Sequence, residues 1–320
     1  MKDNSKLKRL IDEYRSSLKP PETEEIVNQV INRPLAFLVA KGFKTLKRSP
    51  NFITLWSMVF GVSSGYFFYR GSYEALIVAA FLLEMMIIFD CADGQLARMT
   101  GKSSKFGKTL DGLADLMTHI SIFYGIALGI YVKTGHLYPF ILAILSQLTF
   151  YLHIIFYDHF KNVFIHVTRP DYVDKVETPE ELKEKIKKDI EKYGKNSIKV
   201  FISKLYYYFY RIEYWAVSIG YPSSISNFYD LFPDPSVIDE GIRNRYYKEM
   251  RVSVKLWSFI GDTTHLTFFI IFALSNQISL LFPFMILATN LYMVIVIIYQ
   301  RFKFNELGIE RKAFIQREII

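Results

Sequence analysis

Residues 90–115 read DCADGQLARMTGKSSKFGKTLDGLAD, with an apolar run closing on them from each side, at 75–88 and 113–131. Read as helices, the two runs place Asp90 and Asp93 at i, i+3 and Asp111 and Asp115 at i, i+4, so each pair shares a helical face. Gly94 lies one turn after Asp90, Ala97 one turn after Asp93, and Gly107 one turn before Asp111. Small residues beside carboxylates let a second helix, or a ligand, come close to the backbone. Four carboxylates at the ends of two membrane helices repel one another. A hard divalent cation with oxygen ligands relieves that repulsion, and Mg2+ in proteins usually arrives with a phosphate.

Working outward, apolar runs long enough to cross a bilayer core recur at about 52–69, 74–92, 112–132, 137–157, 254–275 and 277–299. Their length, and the scarcity of charges outside the aspartate cluster, argue against buried core helices of a soluble protein. Six spans put both termini on one side. The short connections on the opposite side hold only Arg70 and Lys133 of the chain's 39 Lys and Arg. The positive-inside rule then places the aspartates and both termini in the cytoplasm, in a multi-pass protein of the cell (inner) membrane. The single cysteine, Cys91, cannot form an intramolecular disulfide and is expected to pack. The charged first 25 residues do not read as a cleaved signal peptide.

The full pattern D-x2-D-G-x2-A-R-x8-G-x3-D-x3-D resembles the defining motif of the CDP-alcohol phosphotransferase family. The family joins a CDP-linked alcohol to a second alcohol and releases CMP. The resemblance implies that Asp90, Asp93 and Asp111 hold a pair of divalent ions, Mg2+ or Mn2+, on the CDP diphosphate. Asp115 is by resemblance the general base and is counted with the metal-binding carboxylates. Which carboxylate stays able to accept a proton is not visible in the residues themselves. Gly94, Ala97 and Gly107 would shape the nucleotide site, and Arg98 would pair with a carboxylate or a phosphate. A P-N-x-x-T run, here carrying Asn51 and Thr54, recurs near the family's nucleotide pocket; a helix cap explains these two residues equally well. The family also implies a homodimer, a lipid bilayer around the spans, and no nucleic-acid partner. The commonest chemistry in the family is phosphatidyl transfer from CDP-diacylglycerol, in phospholipid biosynthesis. The run T-G-K-S-S-x-F-G at 100–107 also looks like relatives that transfer a polar headgroup, such as di-myo-inositol phosphate phosphate synthases and choline/ethanolamine phosphotransferases. Leu116 stands where the family often has Lys or Arg near the acceptor site.

The expected fold is an all-α integral membrane protein with six transmembrane helices, an N-terminal amphipathic juxtamembrane helix, and a cytosolic helical insert between spans four and five. Residues 1–49 form the cytosolic N-terminal segment, 50–157 spans one to four, 158–251 the insert, 252–302 spans five and six, and 303–320 a tail. Pro20-Pro21 interrupts any helix in the first 25 residues, which are expected to be mobile. From Ile26 to Leu46 apolar residues recur at helical spacing, with Arg33 and Lys41 on the polar side: a basic amphipathic helix on the inner leaflet. Lys105 and Lys108 are either acceptor-pocket residues or positive charges of a solvated turn. His119 reads as a hydrogen-bonded helix residue. Thr178 N-caps a charged helix at 179–193, and the aromatic run 198–219 reads as interfacial because Lys199, Lys204, Arg211 and Glu213 are costly in hydrocarbon. Asp262 and His265, a turn and a half inside the fifth span, either pair with each other or line the acceptor pocket. A transporter would carry its carboxylates as a relay across the membrane. A prenyltransferase would carry two aspartate motifs far apart in sequence. The clustered motif fits neither.

Overall fold

The computed structural model describes residues 2–102, 104–169, 179–222 and 238–307, with all side chains except those of 2–7, 105, 179–181 and 209. The described residues fall into two compact units.

The first unit spans residues 1–152 and 258–291. It opens with α1 (Lys2–Ser17), followed by a short 3-10 turn at Pro21–Thr23 and a π-helical turn at Asn28–Asn32 that leads into α2 (Arg33–Thr45). Next come α3 (Pro50–Arg70), α4 (Tyr73–Thr100), α5 (Lys105–Thr134) and the first part of α6 (Tyr138–Thr168). The unit is completed by α10 (Asp262–Leu274) and α11 (Leu281–Phe284). Pro50 lies in the first turn of α3, where its fixed φ suits a helix and its missing N–H costs nothing. Ser72 and Ser104 cap α4 and α5 by accepting from Ala75 N and Gly107 N. Gly71, Gly101 and Gly135 end α3, α4 and α5 at φ between 59° and 71°, the left-handed region that a Cβ disfavours.

Helix α3 packs along both carboxylate-bearing helices, α4 and α5. Against α5 the approach is backbone to backbone. A Cβ on Gly125 would lie 2.3 Å from the Gly65 carbonyl oxygen, one on Gly129 2.6 Å from that of Tyr69, and one on Gly61 2.1 Å from Thr118 Oγ1. Two G-x-x-x-G runs, 61–65 and 125–129, carry this contact. Their spacing is a helix-packing signal legible in the sequence itself. Gly125→Ala is therefore expected to lower stability by about 1–3 kcal/mol, the usual cost of overpacking. Thermal unfolding in detergent measures it, and an unchanged midpoint would refute the close crossing.

The N-terminal segment departs from expectation. The two prolines do end a helix, but residues 2–17 form α1, which lies against α2 and α4. Lys44 donates to Glu13 at 2.5 Å, and Tyr14 meets the Phe37 ring edge-on at 5.2 Å. The expected continuous helix from Ile26 to Leu46 contains the π-helical turn. Pro34 explains it: without an N–H, and with its ring against the carbonyl one turn back, it disrupts the regular ladder. Arg33, expected on the polar side, is instead buried in an ion pair with Glu24 at 3.1 Å. Burial pushes the Glu24 carboxyl up, but Arg33, Lys19 and the Asn28 hydrogen bond together outweigh it and hold the group below its ordinary value. The outward face of this stretch shows Val30, Leu35 and Leu38. Cys91 packs, as expected, in a core of Ala36, Ala40, Ile53, Ile88 and Leu96.

The second unit spans the described residues within 153–257 and 292–320. It comprises the C-terminal part of α6, α7 (Pro179–Tyr193), α8 (Ile198–Ser218), α9 (Glu240–Trp257) and all but the first residues of α12 (Asn290–Leu307). Trp257 stacks on Phe156 and Phe160, and Tyr221 shares a 2.8 Å hydrogen bond with His159. Helix α8 packs one face on α7, where Ser203 donates to Asp189. It leaves Phe201, Leu205, Ile212 and Trp215 exposed. The expected Thr178 cap lies outside the described residues.

Among the described residues, five helices are long and apolar enough to cross a membrane, and the bent pair α9 and α10 makes a sixth if read as one span. The fifth span is thus not one helix over 254–275. Helix α9 ends at Trp257, a 3-10 turn covers Ser258–Ile260, and Gly261, extended at φ −74° and ψ 173°, starts α10 afresh. Asp262 and His265 consequently sit in the first turn of a helix, not within one.

Candidate functional site

The site lies wholly within the first unit. Asp90 and Asp93 face inward from α4 and Asp111 from α5, and one carboxylate oxygen from each lies within 4.8 Å of the other two. Asp93 is buried, and the Thr54 hydroxyl of α3 donates to its Oδ2. Thr54 therefore does not cap α3; Ser49 occupies the cap position, without a side-chain bond. Beside the aspartates opens a cavity of about 380 Å³, within the range of about 300–1,000 Å³ usual for small-molecule sites. Asn51 and Thr54 line it from α3, Asp93, Gly94, Ala97 and Arg98 from α4, and Gly107, Lys108 and Asp111 from α5. Gly101, Lys102 and Ser104, between α4 and α5 in the chain, also belong to the lining. At Gly107 a Cβ would lie 2.9 Å from Asn51 Oδ1, so a side chain there would displace Asn51 from the wall. At Gly94 a Cβ would meet only the Arg98 guanidinium at 3.4 Å, so this glycine leaves room on the cavity side. Arg98 is held from behind: its Nε donates to the Ser17 carbonyl at 2.6 Å, a role for α1 that the sequence reading missed.

Three carboxylates held this close call for a cation. Among the described residues no Lys or Arg ion pair reaches Asp90, Asp93 or Asp111, and Asp111 Oδ1 is buried without a hydrogen-bond partner. An all-carboxylate donor set suits a hard divalent ion better than a soft one. The residues present thus fit a divalent metal.

Asp115 stands one turn further along α5 and does not belong to the close triplet. Another turn on, His119 is buried, with Nε2 at 3.3 Å from Asp262 Oδ1 on α10 and its ring against Phe150. Asp262 therefore meets His119, not His265, its alternative partner in the sequence. His265 is buried, with its ring edge-on to Phe150 and Phe268. The Lys105 side chain lies outside the described residues, while Lys108 belongs to the cavity wall.

The family model described as CDP-alcohol phosphatidyltransferase matches residues 47–178, which include the cavity-lining residues of α3, α4 and α5. Residues 47–178 thus match the CDP-alcohol phosphatidyltransferase domain. The domain resembles the archaetidylinositol phosphate synthase of Pyrococcus horikoshii, 37% identical over 91 residues, or 28% of this chain and 47% of that protein. It also resembles the phosphatidylinositol phosphate synthase of Corynebacterium glutamicum, 40% identical over 95 residues, or 30% of this chain and 41% of that one. A CDP-diacylglycerol–serine O-phosphatidyltransferase of Helicobacter pylori is 40% identical over 68 residues, covering 21% of this chain and 27% of its own length. The chain thus spans less than half the length of the curated relatives it matches. The family and the apolar helices together make this a multi-pass membrane protein.

Proposed function

We propose that this protein is a CDP-alcohol phosphotransferase of phospholipid biosynthesis. It transfers the substituted phosphate of a CDP-linked lipid, CDP-diacylglycerol or a close analogue, to an acceptor alcohol and releases CMP. The observation that carries the reading is the convergence of Asp90, Asp93 and Asp111 beside a cavity walled by Gly94, Ala97, Arg98 and Gly107. A pair of divalent ions, Mg2+ or Mn2+, would supply neutralisation of diphosphate charge when bound. Asp90, Asp93 and Asp111 would hold them, with Asp115 one turn away on α5. Arg98 and Lys108 face the anionic donor, Asn51 and Thr54 form the floor of the nucleotide site, and the glycines leave it room. At the far end, Asp115 takes the proton of the acceptor hydroxyl. The new O–P bond forms at the β-phosphorus while the bond to CMP breaks. Asp262 and His265 stand at the start of α10 on this acceptor side. Purified protein in lipid nanodiscs, given a panel of CDP-alcohols and acceptors that includes inositol phosphate and serine, tests the reading through CMP release. Release with no CDP-alcohol in any combination would sink it. Release with CDP-inositol, CDP-choline or CDP-ethanolamine but no CDP-lipid would shift it to polar-headgroup transfer.

The site faces the cytoplasm and the protein lies in the cell (inner) membrane as a homodimer, in keeping with the Lys and Arg distribution and the family resemblance. A cysteine placed at 182–192 in a Cys91→Ala background is expected to resist impermeant thiol reagents on intact cells. Its labelling there would reverse the orientation. Light scattering in detergent reads the oligomeric state, and a monomeric mass would remove the dimer.

A further inference from the structure

Glu25 lies in the charged segment ahead of α2, and its carboxylate is buried. It receives three hydrogen bonds from residues almost 240 positions away. Thr263 N donates to Oε1 at 3.2 Å, and Thr264 N and Thr264 Oγ1 donate to Oε2 at 2.6 and 2.7 Å. Asn28 adds a 2.8 Å bond to Thr263 Oγ1 from the same segment. Two of the three donors are N–H groups in the first turn of α10, which no residue within the helix can satisfy, and the third is the Thr264 hydroxyl. The N-cap residue of α10 is Gly261, which has no side chain to cap with. A Cβ there would lie 2.5 Å from the Glu25 carboxyl carbon, so the glycine is what admits the distant carboxylate. The restart of α10 at Asp262 is thus bonded to the N-terminal segment. Asp262 is the next residue, and its Oδ1 lies 3.3 Å from Nε2 of His119, one turn beyond Asp115. An acid buried beside another acid is costly, and burial followed by the Asp262 charge pushes the Glu25 carboxyl up to about 7 despite the three donors. Polar groups held at such cost within membrane proteins usually serve function.

We infer that Glu25 is a positioning residue for the acceptor end of the site: it pins the first turn of α10 so that Asp262 holds His119 in place beside Asp115. This inference rests on the proposed phosphotransferase reading and adds to it a role for the N-terminal segment. Glu25 touches neither the donor cavity nor the aspartate triplet, so its loss should act on the transfer step and on acceptor use, not on donor binding.

The experiment compares Glu25→Ala, Glu25→Gln, Asp262→Asn and the double variant Glu25→Ala/Asp262→Asn, reconstituted in nanodiscs. Two readouts are taken: steady-state CMP release, and hydrogen–deuterium exchange of the peptide spanning 258–268. Glu25→Ala is expected to lower kcat by about 10- to 100-fold, the scale of a misplaced catalytic geometry, with the donor KM and Mg2+ requirement held near wild type. Glu25→Gln keeps one accepting oxygen and should recover part of that loss. The double variant should be no worse than its more damaged single parent, because both act through one contact. Exchange of the 258–268 peptide should rise in Glu25→Ala. Should Glu25→Ala fail to fold, Thr264→Val, which removes one donor and keeps the helix amides, is read in its place with a smaller loss expected. Unchanged exchange would overturn the contact. Faster exchange with unchanged kcat, or losses that multiply in the double variant, would overturn the positioning role. If the wild type releases no CMP from any donor, the functional reading fails on its own, and exchange still judges the pinning.

Discussion

Asp90→Asn, Asp93→Asn and Asp111→Asn are each expected to cut CMP release by about 10²–10⁴-fold. That range corresponds to the several kcal/mol that a positioned metal contributes to a phosphoryl-transfer transition state. Asn keeps the shape of Asp and removes one charged oxygen. In a triplet whose ligand oxygens lie within 4.8 Å of one another, each substitution takes a third of the compensating charge. The loss should be largest at limiting Mg2+ and partly recovered as Mg2+ is raised, since a weakened site still fills by mass action. Asp93→Asn should also release the Thr54 hydroxyl from its carboxylate partner and so weaken nucleotide binding. A titration of CMP release against Mg2+ for all three variants is the measurement. Near-normal turnover of any one of them at limiting Mg2+ would remove that residue from the ligand set.

Asp115→Asn is expected to fail differently. Losing a positioned base costs about 10²–10⁴-fold in rate, yet Asp115 lies outside the close triplet and does not line the cavity. Donor affinity and its Mg2+ dependence should therefore stay close to wild type while the transfer step slows. Calorimetric binding of a non-transferable CDP-alcohol analogue, measured beside turnover, separates the two effects. If Asp115→Asn loses donor binding as completely as Asp93→Asn does, Asp115 is a metal ligand and the proton goes elsewhere. His119, paired with Asp262 one turn on, is then the group to test.

Much of this was legible in the sequence because it depends on spacing along one helix. A period of 3.6 residues puts Asp90 with Asp93 and Asp111 with Asp115 whatever surrounds them. Long apolar runs announce spans for equally local reasons, and the spans over α3, α4, α5 and α6 appear where those runs lie. The packing of Cys91 followed in the same way from its apolar neighbours. The break in the fifth span was not legible, since Gly261 followed by polar residues reads equally as an interrupted helix or a continuous one. Only the arrival of Glu25 against that glycine distinguishes them.

What the sequence by itself determined, then, is the apolar spans over α3 to α6, the face of each carboxylate and the resemblance of the aspartate pattern to the CDP-alcohol phosphotransferase motif. Tertiary structure alone decided which faces meet. Glu24 and Glu25 sit in an acidic, proline-flanked run that reads as a solvated linker, yet one is buried on Arg33 and the other on the first turn of α10. Arg98 is anchored by a carbonyl of α1, Asp262 turns to His119 rather than to His265, and α3 supplies the close glycine contact with α5. Except for Glu24 with Arg33, nine positions away, each of these joins residues dozens to hundreds of positions apart. Local periodicity carries no information about such pairs, because burial of a charged group becomes tolerable only when a distant partner is already in place to satisfy it.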